Sequence, residues 1–310
     1  MTQIQKKYDS LGGVNSFLGI PTTVEIPLPN GTGIFQEFQN GMIYYSPDYG
    51  ACVLGKAITN KWKSDHVKEL TFDGKTIIRD FLGFPIKDTE VNSKNGEVCY
   101  FERGMIVSNS ANATIFNTFI VFGSSYVTYR KFGDINGWMG YPRGDQQKSS
   151  VGNINMLEHA DIYWHPSFGA FEIHGDIAKK YHVLGAENSF LGFPLSDENK
   201  LFKDNQEVGR SNNFQGGTIF WSPATGAFEV HGNILETYIK NYQGIAGELG
   251  FPVSDEFGSK TNLFRISNFQ NGVLACDMRN GTVKKITKIK VFATKLETDE
   301  DDDDLFVRTK

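Results

Sequence analysis

A tetrapeptide built from a large apolar residue, Gly, a second apolar residue and Pro occurs five times in this chain, and its repetition constrains the fold more than any other feature. Its copies occupy residues 18–21, 82–85, 139–142, 191–194 and 249–252. Gly permits backbone angles that other residues avoid, and Pro keeps the preceding residue extended and cannot continue a helix. Each copy therefore predicts a rigid corner between a short helix and an extended segment.

The residues around the corners also recur. The corner prolines are separated by 64, 57, 52 and 58 residues, a loose period that allows loop insertions. Upstream of four corners an Ile is followed four residues later by an aromatic, which places both on one helical face. These pairs are Ile4 and Tyr8, Ile58 and Trp62, Ile177 and Tyr181, and Ile234 and Tyr238. Before the third corner, at 126–132, this Ile and aromatic pattern is present only in an imperfect form.

A β-hairpin pattern follows each corner. The segments 38–51, 162–174 and 214–231 contain an apolar strand, a turn with Pro, and a Gly before the return strand. Pro suits the second position of a tight turn, and Gly suits a left-handed position before the return strand. The turns of the second and fifth copies are degraded. One repeat is therefore predicted as a short helix, a corner and a hairpin.

A single repeat buries too few large side chains to offset the entropy of ordering its backbone. The repeats must bury surface against each other, and five of them are enough to close a ring without exposed strand edges. The predicted fold is mainly β with short helices, its five repeats closed into a propeller-like ring over residues 1–285. Residues 286–310 are predicted as a strand and acidic tail, or as the start of a further β domain.

Composition and motifs exclude several classes of protein. A net charge of −5 argues against nucleic-acid binding, and no apolar run approaches the ~18 residues that cross a bilayer. The three cysteines form no metal spacing and no disulfide framework, so we expect them to be small buried or half-buried residues. No catalytic motif is present, and we predict a monomer that is not an enzyme and needs no cofactor. Calcium at the acidic segment 297–304 is an alternative, although an EF-hand's Gly and ligand spacing are missing.

The corners occur together with further shared motifs. These are the S-D-E runs at 196–198 and 254–256, the aromatic-Ser-Pro-x-x-Gly-Ala turns at 45–51 and 221–227, and the V-H-G at 230–232. Over roughly residues 4–285 the chain resembles the LGFP repeat family. The resemblance implies a non-catalytic module associated with cell walls or polysaccharides, often fused to enzymes such as mycolyltransferases or amidases. It also implies a secreted or cell-surface location, although the chain begins without a secretory core, and the sequence itself leaves the compartment unknown.

Acidic residues recur just after the corners, most clearly Asp197, Glu198, Asp255 and Glu256. Members at related places are Glu25, Glu90 and Asp145. One interpretation is a set of carboxylates that accept hydrogen bonds from sugar hydroxyls or hold a cation. The other is that they accept backbone N–H bonds and stabilise the loop after the corner. Recurrence favours the second, because a catalytic site is needed only once.

Adjacent aromatic residues in the hairpins are the other candidate ligand-binding groups. Neighbours on a strand point to opposite faces, so one of each pair should enter the core. Tyr45, Trp164 and Trp221 share a face with isoleucines and are predicted to be core residues. Tyr44 and Tyr163 would then be exposed platforms for a sugar ring, and Trp221 is kept as a third candidate.

Three functional hypotheses follow from these patterns. The first is a binding module that presents shallow, similar pockets between repeats to a polysaccharide, with avidity from several weak sites. The second is a scaffold that binds protein or positions a neighbouring domain. The third, an enzyme with carboxylates at the ring mouth, is supported by no catalytic motif.

Overall fold

The computed structural model describes residues 1–28, 32–63, 82–110, 114 and 117–286. Within these residues there are twenty strands and five α-helices. The acidic segment 297–304 and the predicted strand near its start lie outside the described residues. The chain divides into two compact units, Met1–Pro166 and Ser167–Lys310.

The twenty strands form five four-stranded sheets, each with its strands in consecutive order. We number the sheets and corners 1 to 5 along the chain. Sheet 1 contains β1 (Ile26–Pro27), β2 (Ile34–Phe38), β3 (Gly41–Ser46) and β4 (Gly50–Gly55). Sheet 2 contains β5 (Glu90–Val91), β6 (Glu97–Phe101), β7 (Gly104–Ser108) and β8 (Thr118–Phe122). Sheet 3 contains β9 (Gln147–Lys148), β10 (Asn153–Met156), β11 (Ala160–His165) and β12 (Gly169–His174).

The last two sheets repeat this plan. Sheet 4 contains β13 (Asn199–Lys203), β14 (Gln206–Asn213), β15 (Gly217–Ser222) and β16 (Gly226–His231). Sheet 5 contains β17 (Phe257–Gly258), β18 (Phe264–Phe269), β19 (Gly272–Asp277) and β20 (Val283–Ile286). The strand pairs within both sheets are antiparallel. A mainly β fold of repeated antiparallel sheets with short helices is thereby confirmed.

A short helix precedes each corner. The helices are α1 (Gln3–Ser10), α2 (Lys56–Trp62), α3 (Gly123–Lys131), α4 (Gly175–Leu184) and α5 (Gly232–Tyr242). Helices α2 to α5 each start directly after the fourth strand of a sheet. The predicted Ile and aromatic pairs are buried in all four helices that carry them, and Tyr129 takes the aromatic position in α3. The prediction of one apolar helical face is therefore confirmed.

Each corner is fixed to its own sheet by backbone contacts. The corner Pro forms an isolated antiparallel bridge with the residue at or just after the end of the second strand, a Phe in four repeats and Leu157 in the third. The corner Gly has a positive φ, +63° at Gly192 and +80° at Gly83, which a side chain would strain. The corner therefore turns the chain from the helix into the sheet, as predicted.

The helix aromatic locks the corner from the other side. Four tyrosines donate their hydroxyl hydrogen to the carbonyl oxygen of the corner Gly, over 2.5 to 2.7 Å. The pairs are Tyr8 and Gly19, Tyr129 and Gly140, Tyr181 and Gly192, and Tyr238 and Gly250. In the second repeat Trp62 takes this place, and its buried Nε1 has no partner among the described residues. The second corner thus lacks a bond that the other four have.

Hydrophobic cores form between consecutive sheets within each unit. In Met1–Pro166, a core joins Tyr44 and Leu54 of sheet 1 with Trp62 of α2 and Phe101 and Ile106 of sheet 2. In Ser167–Lys310, an equivalent core joins sheets 4 and 5 across α5 and the fifth corner. The prediction that repeats bury surface against one another is confirmed inside each unit.

The sequence-based unit was too small. It contained only the hairpin of the third and fourth strands, whereas every sheet has two further strands between the corner and that hairpin. The first strands are two residues long in four of the five sheets, and both residues are exposed in those of sheets 2 and 3. Such short polar segments carry no alternating pattern, which is why they were missed.

Some features concern the chain as a whole. All three cysteines are buried free thiols, as expected. Among the described helices none is both long and apolar enough to cross a membrane. The described residues contain no cluster of three or more side chains that could hold a metal ion.

Candidate functional site

One aspartate after each of corners 2 to 5 binds the edge of the preceding sheet. Its Oδ1 accepts a hydrogen bond from a backbone N–H of that sheet's fourth strand, over 2.9 to 3.2 Å. The pairs are Asp88 with Val53, Asp145 with Ile120, Asp197 with Glu172, and Asp255 with Glu229. An exposed strand edge carries unpaired donors that invite pairing with another chain. We call this aspartate the joint aspartate, because it satisfies such a donor and connects consecutive repeats.

Three joint aspartates also bind a lysine. In each case the lysine belongs to the helix that precedes the sheet to which the aspartate is hydrogen-bonded. Lys7 lies 2.6 Å from Asp88, Lys61 lies 2.5 Å from Asp145, and Lys180 lies 2.8 Å from Asp255. The Lys61 side chain is only 4% exposed, so its ammonium group is largely removed from water and Asp145 places an opposite charge beside it.

A second set of charges surrounds the joint between sheets 4 and 5. His231 lies between two buried carboxylates, with Nδ1 2.7 Å from Glu229 and Nε2 3.1 Å from Glu256. Arg265 Nε donates to the same Glu256 oxygen over 2.9 Å. Burial opposes a charge on His231, but the hydrogen bonds and charges of Glu229 and Glu256 prevail and raise its pKa to about 9. We call this arrangement the Glu–His–Glu–Arg cluster; its two negative and two positive charges balance.

The joint between sheets 3 and 4 has the same cluster. His174 lies 2.8 Å from Glu172 and 3.3 Å from Glu198, and Arg210 Nε lies 2.9 Å from Glu198. Burial opposes the charge of His174, but Glu172 and Glu198 raise its pKa above the ordinary value. Burial also raises the pKa of Glu198. The backbone N–H of Glu198 donates to Glu172 over 3.0 Å, which ties the loop after the corner to the preceding strand.

The four acidic candidates therefore lie in joints between repeats. Asp197 and Asp255 accept backbone N–H bonds, and Glu198 and Glu256 each bind a histidine and an arginine. This agrees with the architectural interpretation in outline, but the N–H donors belong to the preceding sheet and not to the candidates' own loop. The donors lie 25 or 26 residues upstream, and local sequence patterns cannot reveal such a pairing.

The aromatic candidates lie differently from the prediction. The expected exposure of Tyr44 and Tyr163 is wrong, because these side chains are only 5% and 3% exposed. The third strands are covered on both faces, since Ile43 and Ile162 on the opposite face are also fully buried. Strand alternation separates inside from outside only when one face meets solvent.

The strand face predicted to lie in the core is more exposed to solvent than the face that carries Tyr44 and Tyr163. Tyr45, Trp164 and Trp221 are half-buried. Trp221 donates its indole N–H to Asp176 at the start of α4 over 3.1 Å. Of the three aromatic candidates, only Trp221 therefore keeps part of its ring accessible.

Sequence reasoning missed a different set of aromatic residues, those directly before the corner. Phe17, Trp138 and Phe190 are 60%, 43% and 53% exposed at equivalent positions of their repeats. We call them the pre-corner aromatics. The signal was present in the sequence, because four of the five corners follow an aromatic residue and the fifth follows Glu248. The Phe190 ring packs on His231 with a centroid distance of 4.7 Å, so it is held in place while one side remains open.

These sheets and joints define a tandem-repeat β protein. The model of the LGFP repeat matches residues 18–68, 139–189 and 191–242. Residues 18–242 of this chain therefore carry three LGFP repeats. The second and fifth corners lie outside the matched segments, yet they bridge to their sheets as the others do.

Other comparisons add no closer relationship. No curated protein matches the chain. Among solved structures, one similar chain is the extracellular domain assigned to a hybrid two-component system of B. thetaiotaomicron, 11% identical, with 88% of this chain and 28% of that chain covered and a TM-score of 0.16. Another is Hsv2 of Kluyveromyces lactis, 6% identical, with coverages of 84% and 61% and a TM-score of 0.14. A third is the WD40 domain of SCAP from fission yeast, 8% identical, with coverages of 86% and 54% and a TM-score of 0.14. The chain spans less than two thirds of the length of each.

Proposed function

We propose that this protein is a non-catalytic carbohydrate-binding repeat module, which holds a polysaccharide through several weak and similar sites. The observation that carries the proposal is the exposure of Phe17, Trp138 and Phe190 at one repeated position. An exposed aromatic ring offers a flat apolar surface on which the C–H face of a sugar can stack. Repetition of a weak site raises avidity without any single site being tight.

The charged groups support binding without catalysis. Hydrolysis of a glycosidic bond ordinarily needs two carboxylates that are free to act on the substrate. Glu198 and Glu256 are each bound by a histidine and an arginine, and Asp255 binds Lys180. These carboxylates are occupied within the protein, so the proposed contacts with sugar are made by aromatic and neutral groups.

We further propose that the five sheets are arranged as a propeller-like ring. Five consecutive meander sheets, with a joint aspartate after each of corners 2 to 5, support this arrangement. A compact body of this length has a radius of gyration of about 19 Å. Small-angle X-ray scattering should give that value, and a radius above about 25 Å would rule out the ring.

Alanine substitution of the pre-corner aromatics tests the binding function. Retention on insoluble polysaccharides and a glycan array should weaken about 2- to 10-fold for each of F17A, W138A and F190A, and should be lost in the triple variant. F202A is the matched control, because Phe202 is similarly exposed but lies in β13 and does not precede a corner. Absence of binding by the unmodified protein to any polysaccharide would overturn the proposal, and so would an equal loss in F202A.

One observation favours a protein-interaction scaffold as the second candidate function. Four large apolar residues near the first corner, Val14, Phe17, Ile20 and Val24, are more than half exposed. Exposed apolar surface of this kind is typical of contacts with another protein or domain. The variant V24D leaves Phe17 in place and separates the two functions. Sedimentation measures its self-association, and the retention assay measures its binding to polysaccharide. Self-association that V24D abolishes, with polysaccharide binding absent, would favour the scaffold.

A further inference from the structure

A groove of about 560 Å³ lies beside the fourth corner. Its walls come from Leu195 just after the corner, from the turn that contains Gly216, and from Leu235 in the first turn of α5. This volume is within the range of about 300 to 1,000 Å³ that is usual for small-molecule sites, but the groove is largely open to solvent and would cover a ligand only in part. The groove is therefore large enough for one sugar residue.

The lining of the groove is free of charged side chains. It consists of glycines, apolar residues such as Leu195 and Leu235, and the neutral polar residues Asn213, Gln215 and Thr218. A charged ligand would lose hydration here without gaining an opposite charge, which is costly. The nearby charges of His231, beside the lining residue Gly232, are already balanced within the Glu–His–Glu–Arg cluster. The groove consequently suits an uncharged ligand.

Two amide side chains in the lining are held through their oxygen atoms. Gln215 Oε1 accepts the backbone N–H of Phe193 over 2.8 Å, and Asn213 Oδ1 accepts the Thr218 hydroxyl over 2.9 Å. The amide nitrogens of both residues have no partner among the described residues, and both side chains are exposed. N–H donors and apolar side chains in one lining match a pyranose, whose hydroxyl oxygens accept hydrogen bonds while its C–H face is apolar.

The groove adjoins one of the pre-corner aromatics. The carbonyl oxygen of Phe190 lies so near Gly216 that a Cβ atom on this glycine would be only 2.0 Å away from it. The Phe190 ring packs on His231, which directly precedes the lining residue Gly232. A sugar in the groove and a sugar stacked on Phe190 would therefore be neighbours on one polysaccharide chain.

We propose that this groove binds one neutral sugar residue, with Asn213 and Gln215 as hydrogen-bond donors and Leu195 and Leu235 as its apolar surface. This inference rests on the proposed carbohydrate-binding function and specifies its ligand class at the fourth repeat. Selection against acidic sugars follows from it, because the groove supplies no positive charge.

Titration of the full chain with free sugars, followed by NMR or calorimetry, tests the inference. The probes are glucose, galactose, mannose and N-acetylglucosamine, with glucuronate as the charged comparison. We expect at least one neutral probe to bind at least tenfold more tightly than glucuronate. L195R should weaken that binding at least tenfold, and N213D should weaken it several-fold. V253R is the matched control, because Val253 follows the fifth corner as Leu195 follows the fourth and is similarly exposed.

The outcomes separate this inference from the proposed function. If no neutral sugar binds, or L195R and N213D bind as the unmodified protein does, the groove assignment is wrong. Aromatic-dependent retention on polysaccharide would then still support the wider function. Tighter binding of glucuronate than of neutral sugars would overturn the ligand class. Circular dichroism of L195R verifies folding, and N213D, which changes an exposed side chain, provides an independent result.

Discussion

The joints of Met1–Pro166 and those of Ser167–Lys310 both connect consecutive repeats, but they do so with different side chains. In both units a joint aspartate accepts a backbone N–H from the preceding sheet. In the first unit that N–H belongs to Val53 or Ile120, and the aspartate binds a lysine. In the second unit it belongs to Glu172 or Glu229, whose side chains form Glu–His–Glu–Arg clusters, and Asp255 also binds a lysine, Lys180.

This difference distinguishes what the repeat requires from what individual repeats add. The bond from the aspartate to the strand edge satisfies a backbone donor that would otherwise lack a partner, so it is needed at every joint. The histidine clusters appear only where the fourth strand carries Glu and His two residues apart. They add charge interactions that depend on pH, whereas the backbone bond does not require them. Four predictions test this division, from the largest expected effect to the smallest.

Removing the carboxylate of Asp145 should have the largest effect. D145N keeps an oxygen for the N–H of Ile120 but takes away the charge that faces the buried Lys61 ammonium. We expect the free energy of unfolding, measured by chemical denaturation, to fall by about 3 kcal/mol or more. D255N is the comparison, because its partner Lys180 is more exposed and should cause a smaller loss. Equal losses in the two variants would show that lysine burial does not set the strength of the joint.

The second prediction concerns the pH dependence of the second unit. The pKa of His231 is raised to about 9, so its contribution to stability is complete below the unfolded pKa of about 6.5 and is lost as pH rises to about 9. The fall should be at most about 3 kcal/mol in the unmodified protein, with a smaller part from His174, and most of it should be absent in H231Q. Denaturation at pH 6 and pH 9 measures this.

The exposed His159 supplies the control for that experiment. It lies outside both clusters, so H159Q should keep the pH dependence of the unmodified protein. An identical slope in the unmodified protein and H231Q between these pH values would mean that the Glu–His–Glu–Arg cluster adds no stability. The two units would then differ in sequence but not in the energetics of their joints.

The third prediction tests a feature that the repeats share outside the joints. Y238F removes the hydroxyl that donates to the carbonyl of Gly250 over 2.7 Å, and leaves that acceptor without its donor. Unfolding free energy should fall by about 1 to 2 kcal/mol. Y45F is the control, because the half-buried Tyr45 has no hydroxyl partner among the described residues and should change by less than about 0.5 kcal/mol. A neutral Y238F would mean that packing alone holds the corner, as at Trp62.

The smallest effect should come from the joint between sheets 1 and 2. Lys7 and Asp88 lie 2.6 Å apart, but both side chains are partly exposed to solvent. K7M should therefore lower stability by less than about 1 kcal/mol, and added salt should reduce even this difference. Denaturation at low and high ionic strength measures it. A loss as large as that in D145N would contradict the role assigned to burial.

The corners and helix faces could be predicted from sequence because their determinants are local. Gly192 and Pro194 fix the backbone at their own positions, and Ile177 and Tyr181 lie one helical turn apart. The first strands could not be predicted, because two-residue segments such as Glu90–Val91 have no period to detect. Whether the sheets close into a ring remains a prediction.

The candidate site was predicted less well, for two physical reasons. Asp255 finds its partner 26 residues upstream, and nothing near it in sequence specifies that N–H. Tyr44 lies on a strand covered on one face by α1 and the first corner and on the other by the second repeat, so alternation gave the wrong exposure. Phe190, by contrast, was visible as a recurrent aromatic before the corner, but its exposure depends on how the corner packs on His231.

The joint aspartates have a practical consequence for dissecting the protein. Sheet 4 ends at His231, but the carboxylate that accepts a hydrogen bond from its edge is Asp255 of the following repeat. The contacts that complete a sheet therefore extend beyond the end of its own repeat in the sequence. A fragment that ends at the last residue of a sheet would have an unpaired strand edge, which favours self-association. Expression boundaries drawn just beyond residue 256 would instead keep sheet 4 together with the two acidic side chains borrowed from the following repeat.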